Sequence, residues 1–206
     1  MSGVNTSDFI KKKGLTVRDL VTIGIFTAVY VVVFLVGGMV FAPNPVLTFY
    51  MPIGCALLCG PIFLLLVAKV PKHGPIIILG LLIGLLMFAT GMHWMMNTAY
   101  IVLGIVADLV AGAGNFKSIK LNILAYIIFA LPPVGSYVMF FLDKAVWAKS
   151  IMAGGTEQSY VDTMIASGPN WLLPVIIAGT IVAALLSGLL GRVLLKKQFE
   201  KAGITA

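Results

Sequence analysis

Between two strongly apolar runs the chain reads Thr90 to Asn97 as TGMHWMMN, which brings the His93 imidazole, the Trp94 indole and the Asn97 carboxamide close together. Tyr100 follows one turn further on. A small-molecule site needs aromatic surface and a few aimed donors and acceptors. Trp94 offers a face on which a ring can stack, Asn97 a paired donor and acceptor, and His93 either role according to its protonation. Asn170 with Trp171 repeats the pattern near the start of the last apolar run, and Asn44 with Tyr50 supplies a third instance. The same residues also fit a plainer reading, a solvated connection whose tryptophan sits at headgroup level. Spacing alone does not choose between the two.

Other chemistry is sparse. Asp108 is the carboxylate that lies well inside an apolar run, and such a group is a functional candidate because its desolvation is costly. Snorkelling, or pairing with Lys117 or Lys120, would satisfy it structurally. Cys55 and Cys59 share a helix face at i,i+4 with no second pair, so packing is their expected role rather than metal binding or a disulfide. The glycine-rich segment Gly112 to Ser118 (GAGNFKS) lacks the G-K-[ST] ending through which a P-loop lysine reaches phosphate. There is no H-E-x-x-H, no G-x-S-x-G and no pair of carboxylates within the apolar runs. The chain is expected not to be an enzyme and to hold no cofactor or metal of its own.

The elements that must position these residues are dictated by composition. Of 206 residues 60% are hydrophobic and only 10% charged, and mean hydropathy is +1.08. A helical crossing needs about 20 apolar residues, so the chain is expected to be one all-α transmembrane domain, residues 1–206, built as a six-helix bundle. The apolar runs are Leu20–Val36, Tyr50–Val70, Pro75–Ala89, Thr98–Ala113, Ile119–Leu142 and Trp171–Leu195. Residues 1–14 form a polar lead with Lys11, Lys12 and Lys13, after which Thr16 or Asp19 can cap the first helix. No small-residue cleavage site follows the first run, so it is expected to be a retained helix. Pro43 and Pro45 break the chain after Gly37 and Gly38, while Pro132 and Pro133 predict a kink in the fifth run. Residues 143–170 form the longest polar connection, and no internal repeat is visible.

Orientation follows from lysine and arginine. With the N-terminus inside, the cytoplasmic side gathers Lys11, Lys12, Lys13, Arg18, Lys69, Lys72, Lys117, Lys120, Arg192, Lys196, Lys197 and Lys201, leaving only Lys144 and Lys149 outside. Both termini are then cytoplasmic, 143–170 is extracellular, and His73 and His93 lie on opposite sides. Tyr50, Trp94, Trp147 and Trp171 stand at outer span ends and suit interfacial anchoring. The net charge of +7 is scattered in short clusters without interleaved aromatics, which argues against nucleic acid as a partner. Gly24 and Ala28 fall on one face of the first helix, where small side chains permit close helix approach.

Four segments carry a resemblance: Leu15–Phe34 (LTVRDLVTIGIFTAVYVVVF), Gly60–Gly74 (GPIFLLLVAKVPKHG), Gly84–Met95 (GLLMFATGMHWM) and Gly104–Ser118 (GIVADLVAGAGNFKS). Together they resemble the Trep_Strep group of bacterial integral membrane proteins, which is similar to the substrate-binding S components of energy-coupling factor (ECF) vitamin transporters. The resemblance implies a chain in the bacterial cell membrane that captures a vitamin, a precursor or a like micronutrient, such as a pyrimidine or pyridoxine-like compound, at its outer face. A transmembrane T subunit and two ATPase subunits would be its partners, and ATP would be used there and not in this chain. The family's small-residue face toward the T subunit falls on Gly24 and Ala28, with glycine departing from the usual alanine. The loop Gly37–Phe49 would act as a lid, and the outer ends of the third, fourth and sixth spans would line the pocket. A stand-alone secondary transporter or a membrane-embedded enzyme is the alternative, with Asp108 as its one intramembrane acid.

Overall fold

The computed structural model describes residues 14–201 and 203, so Lys11, Lys12, Lys13 and nearly all of the polar lead lie outside the described residues. Regular structure among them is helical: α1 (Val17–Met39), a 3-10 turn (Leu47–Tyr50), α2 (Met51–Lys69), α3 (Pro75–Ala89), α4 (Trp94–Ala113), α5 (Ile119–Phe129), α6 (Val134–Leu142), α7 (Lys144–Ala153), α8 (Gln158–Ser167), α9 (Leu172–Leu194) and α10 (Lys196–Lys201). Four segments are long and apolar enough to cross a membrane: α1, α2 with its preceding turn, α4 and α9. A fifth is the pair α5 and α6, bent by 44°. The bend falls at Pro132 and Pro133, where helical hydrogen bonding is interrupted and turn bonds such as Val134 N–H to the Leu131 carbonyl (2.9 Å) carry the chain round. α3 has only 15 residues, a rise of about 22 Å, short of the roughly 30 Å hydrocarbon core.

The start of α1 is fixed by a reciprocal cap in which both sequence candidates take part. Asp19 N–H donates to Thr16 Oγ1 (3.2 Å) while Thr16 N–H donates to Asp19 Oδ2 (2.9 Å). Lys72 Nζ, on the turn between α2 and α3, reaches the same Asp19 oxygen at 2.7 Å. The helices then pack in close pairs, α2 on α9 and α3 on α4. Small residues permit this. A Cβ on Gly84 would stand 2.8 Å from the Asn97 carbonyl oxygen, and one on Gly80 would collide with the Tyr100 carbonyl. Across the α2–α9 seam, Gly60 N–H donates to Ser187 Oγ (3.1 Å). Cys55 and Cys59 are free and buried, and the Cys55 thiol points to the Phe34 carbonyl (3.4 Å), in keeping with a packing role.

Two cores result. The larger joins α1 to α5 and α9 around Phe63, Tyr100, Tyr126 and Phe129, whose rings meet edge-on or tilted. The smaller gathers Phe49, Tyr137, Phe140, Trp147, Val161, Met164 and Ile176 at one end of the bundle. The outward faces carry large apolar side chains such as Val32, Leu85, Leu109 and Leu190, as a lipid-facing surface requires.

Three features differ from the sequence reading. The connection expected through Asn97 ends at His93, because the His93 ring Nδ1 accepts from Met95 N–H (3.2 Å) and starts α4 at Trp94. Residues 143–170 are not an open connection but hold α7 and α8, folded onto the smaller core. Trp147 is not an exposed anchor: it is buried, its indole N–H donates to Ser136 Oγ (3.1 Å), and Phe140 meets its ring edge-on.

Candidate functional site

A partly enclosed cavity of about 310 Å³ lies at the end of the bundle that carries the smaller core. Its walls come from Pro133, Ser136 and Tyr137 around the start of α6, Trp147 and Ile151 on α7, and Tyr160 and Met164 on α8. Met51 of α2 and Met96 of α4 complete them from the main bundle. Its cover is made of three connections: Ala42 and Thr48 from the loop after α1, Thr90 to Met92 after α3, and Gly154 and Thr156 after α7.

The covering loop is tied down. The Tyr160 hydroxyl donates to the Ala42 carbonyl (2.8 Å), and the Tyr137 hydroxyl donates to the Thr48 carbonyl. Burial pushes the Tyr160 phenol above its ordinary range, so it remains a donor. Within the loop, Asn44 Oδ1 accepts from Val46 N–H (2.8 Å) and Leu47 N–H (3.1 Å), a local turn that leads into the 3-10 segment. Gly91, at φ 76°, lies against Gly154, where an added Cβ would come within 2.9 Å of the Gly154 carbonyl oxygen. The turn after α3 and the end of α7 therefore meet backbone to backbone at the rim.

Hydrogen exchange of the loop should report the tyrosine tie. Tyr160→Phe removes one hydroxyl bond worth about 1 kcal/mol, so exchange at the Val46 to Thr48 amides is expected to quicken about fivefold. Unchanged protection there would mean that the loop is held without this hydroxyl.

The residues singled out from sequence surround this end without lining the cavity. His93 is buried, its Nδ1 spent on the α4 cap, and burial pushes the imidazole below its ordinary range, so it is neutral. Asn97 donates through Nδ2 to the Met92 carbonyl (3.0 Å). His93 Nε2 and Asn97 Oδ1 are both buried without a partner, one helical turn apart. Trp94 is 52% exposed and Trp171 64% exposed, as headgroup anchors would be. Tyr100 is enclosed in the larger core, edge-on to Phe34 and Phe129. Asn170 and Asn44 are exposed, and Tyr50 packs against the smaller core. What the 90–97 segment gives the cavity is Thr90, Gly91 and Met92, which precede His93, and Met96, which lies between Trp94 and Asn97. Tyr160 and Met164 were missed, and Trp147 was read as an interfacial anchor, because all three lie in the segment read as a connection; its aromatic and methionine content was the available signal.

At the opposite, basic end the carboxyl of Asp108 is fully buried. Its partner is His73 and not Lys117 or Lys120: His73 Nδ1 lies 2.7 Å from Oδ2, and Gly74 N–H donates to Oδ1 (3.1 Å). The His73 ring rests edge-on against Phe116 and over Gly112, where any side chain would strike it. Snorkelling is thus unnecessary; the turn after α2 brings the partner to the carboxylate. Gly24 and Ala28 are both exposed on α1, and an added Cβ at Gly24 would meet no heavy atom within 4 Å.

Apolar helices with lipid-suited outer faces, closed at one end over a solute-sized cavity, define a multi-pass α-helical membrane protein. Residues 17–201 match the family model described as hypothetical bacterial integral membrane protein (Trep_Strep), and the chain belongs to that family. No curated protein and no solved structure matches the chain significantly.

Proposed function

We propose that the chain is the substrate-binding S component of an ECF-type importer, capturing a vitamin-like micronutrient at the outer face of the bacterial membrane. The observation that carries this reading is the cavity, which lies at the end of the bundle away from the basic cluster and under a loop tied by Tyr137 and Tyr160. By the lysine and arginine asymmetry, the basic end with Lys72, Lys117 and Lys120 is cytoplasmic and the cavity faces outward. In this reading the chain crosses six times, with α3 as a short span and α5 with α6 as a bent one, and both termini lie inside. His93 and Asn97 act behind the wall, fixing the start of α4 and so the places of Met92 and Met96.

Binding without an internal energy source requires partners, and the exposed Gly24 and Ala28 face is the proposed seat of a T subunit, with two ATPase subunits supplying ATP hydrolysis. An enzymatic role is disfavoured because the cavity lining offers no nucleophile with a base beside it. A stand-alone transporter is disfavoured because Asp108 is tied to His73 about 18 Å along α4 from Met96. Affinity purification of the chain from its native membrane, with mass spectrometry of retained proteins and small molecules, tests the proposal. A T subunit, two ATPases and a bound micronutrient are the expected finding; a chain that imports solute when reconstituted alone would overturn it.

A further inference from the structure

We infer that the solute held in the outer cavity is uncharged and ring-bearing, gripped by thioether and aromatic surface. This rests on the reading of that cavity as the solute site. Among the described residues, no lysine, arginine, histidine, aspartate or glutamate lines it. The surface offered is four methionines, Met51, Met92, Met96 and Met164, with the rings of Tyr137, Tyr160 and Trp147. Methionine is flexible and polarizable, and sulfur packs well at aromatic edges, so this lining suits a flat ring of imprecise outline.

The strong donors are already spent. Tyr137 and Tyr160 donate to loop carbonyls, and Trp147 donates to Ser136 Oγ. What remains for a ligand is hydroxyl lone pairs and short side chains such as Thr156, enough to orient a neutral amide or hydroxyl but not to replace the hydration of an ion. Among the described residues, no charged side chain lines the cavity to compensate a carboxylate or an ammonium.

The test uses three probes on one skeleton: quinoline-3-carboxamide, quinoline-3-carboxylate and N-methylquinolinium. Equilibrium dialysis against the protein in lipid nanodiscs, with empty nanodiscs subtracted for partitioning, gives each affinity. The neutral amide is expected to bind, and both ions to bind at least about 100-fold more weakly. An apolar cavity of about half this size accepts simple aromatic molecules without a designed fit, so failure of the amide to bind would overturn the inference. Binding of either ion as tightly as the amide would overturn it too. Ile151→Glu places a carboxylate on the half-buried α7 wall and is expected to admit N-methylquinolinium while weakening the amide. If the probes behave as expected but no T or ATPase subunit co-purifies, the transport reading fails and the cavity chemistry stands. If the partners co-purify and an ion is preferred, the inference alone fails.

Discussion

Under the proposed S-component reading, Gly24→Trp and Ala28→Trp are each expected to abolish solute uptake and capture of the proposed T subunit while leaving the isolated chain folded and its cavity intact. The expectation follows from what the face lacks. An added Cβ at Gly24 has none of the described heavy atoms of neighbouring elements within 4 Å, and Ala28 is exposed one turn further along α1, so an indole at either place starts from the outward face. In lipid there is no hydrophobic gain from bringing two helices together; association depends on close backbone approach across small residues, which one indole prevents. Thermal stability of the detergent-solubilised variants is therefore expected to match wild type, and quinoline-3-carboxamide affinity to stay within about twofold. Leu190→Trp, on the outward face of α9, is the control that exchanges one large apolar group for another. Normal uptake in both α1 variants would make Gly24 and Ala28 part of the lipid-facing surface.

The parts of this fold that were legible in the sequence are those in which local chemistry and the membrane decide the outcome together. Thr16 and Asp19 cap α1, Pro132 and Pro133 bend the fifth apolar run, and α9 ends within a residue of its apolar run, since each depends on neighbours in sequence. The bend itself is local backbone chemistry, but its consequence, a cavity wall at Pro133 to Tyr137, is not. α7 and α8 were hidden for a different reason. They are ten residues each, too short to stand out by period, and the core in which Trp147, Val161 and Met164 gather with Phe49 and Phe140 draws on other elements. Lys144, read from sequence as one of two outer cations, donates to the Ile165 and Gly168 carbonyls around the end of α8, a tie no spacing rule reveals.

The site shows the same division at the level of single side chains. The polar residues of TGMHWMMN drew attention as donors and acceptors for a small ligand, yet one polar atom of each is used locally: His93 Nδ1 caps α4 and Asn97 Nδ2 holds the Met92 carbonyl. The methionines of the segment that line the cavity are Met92, just before His93, and Met96, just before Asn97. Sequence polarity marked where the helix begins, and the ligand-facing surface came from the apolar positions of the same segment.

The second large effect is expected at Asp108, and it separates architecture from transport chemistry. Asp108→Ala removes the acceptor for both His73 Nδ1 and the Gly74 N–H, which starts α3, and leaves a gap in a fully buried site. The His73 side chain is 55% exposed and can turn to water, so the loss falls mainly on the half-buried Gly74 amide and the emptied space. A cost of about 1–3 kcal/mol follows, seen as a lower melting temperature in detergent. Asp108→Asn retains an oxygen for Gly74 N–H and can donate to an unprotonated His73 Nδ1, so it is expected to lose much less. Neither change should alter quinoline-3-carboxamide affinity more than about twofold, because Asp108 and Met96 are separated by about 18 Å of helix. Wild-type melting in Asp108→Ala would show that the pair does not hold the turn after α2 to α4. If Asp108→Asn instead abolished uptake with folding and subunit assembly intact, the carboxyl would be a proton-handling group, and a transporter coupled through this chain would displace the S-component reading.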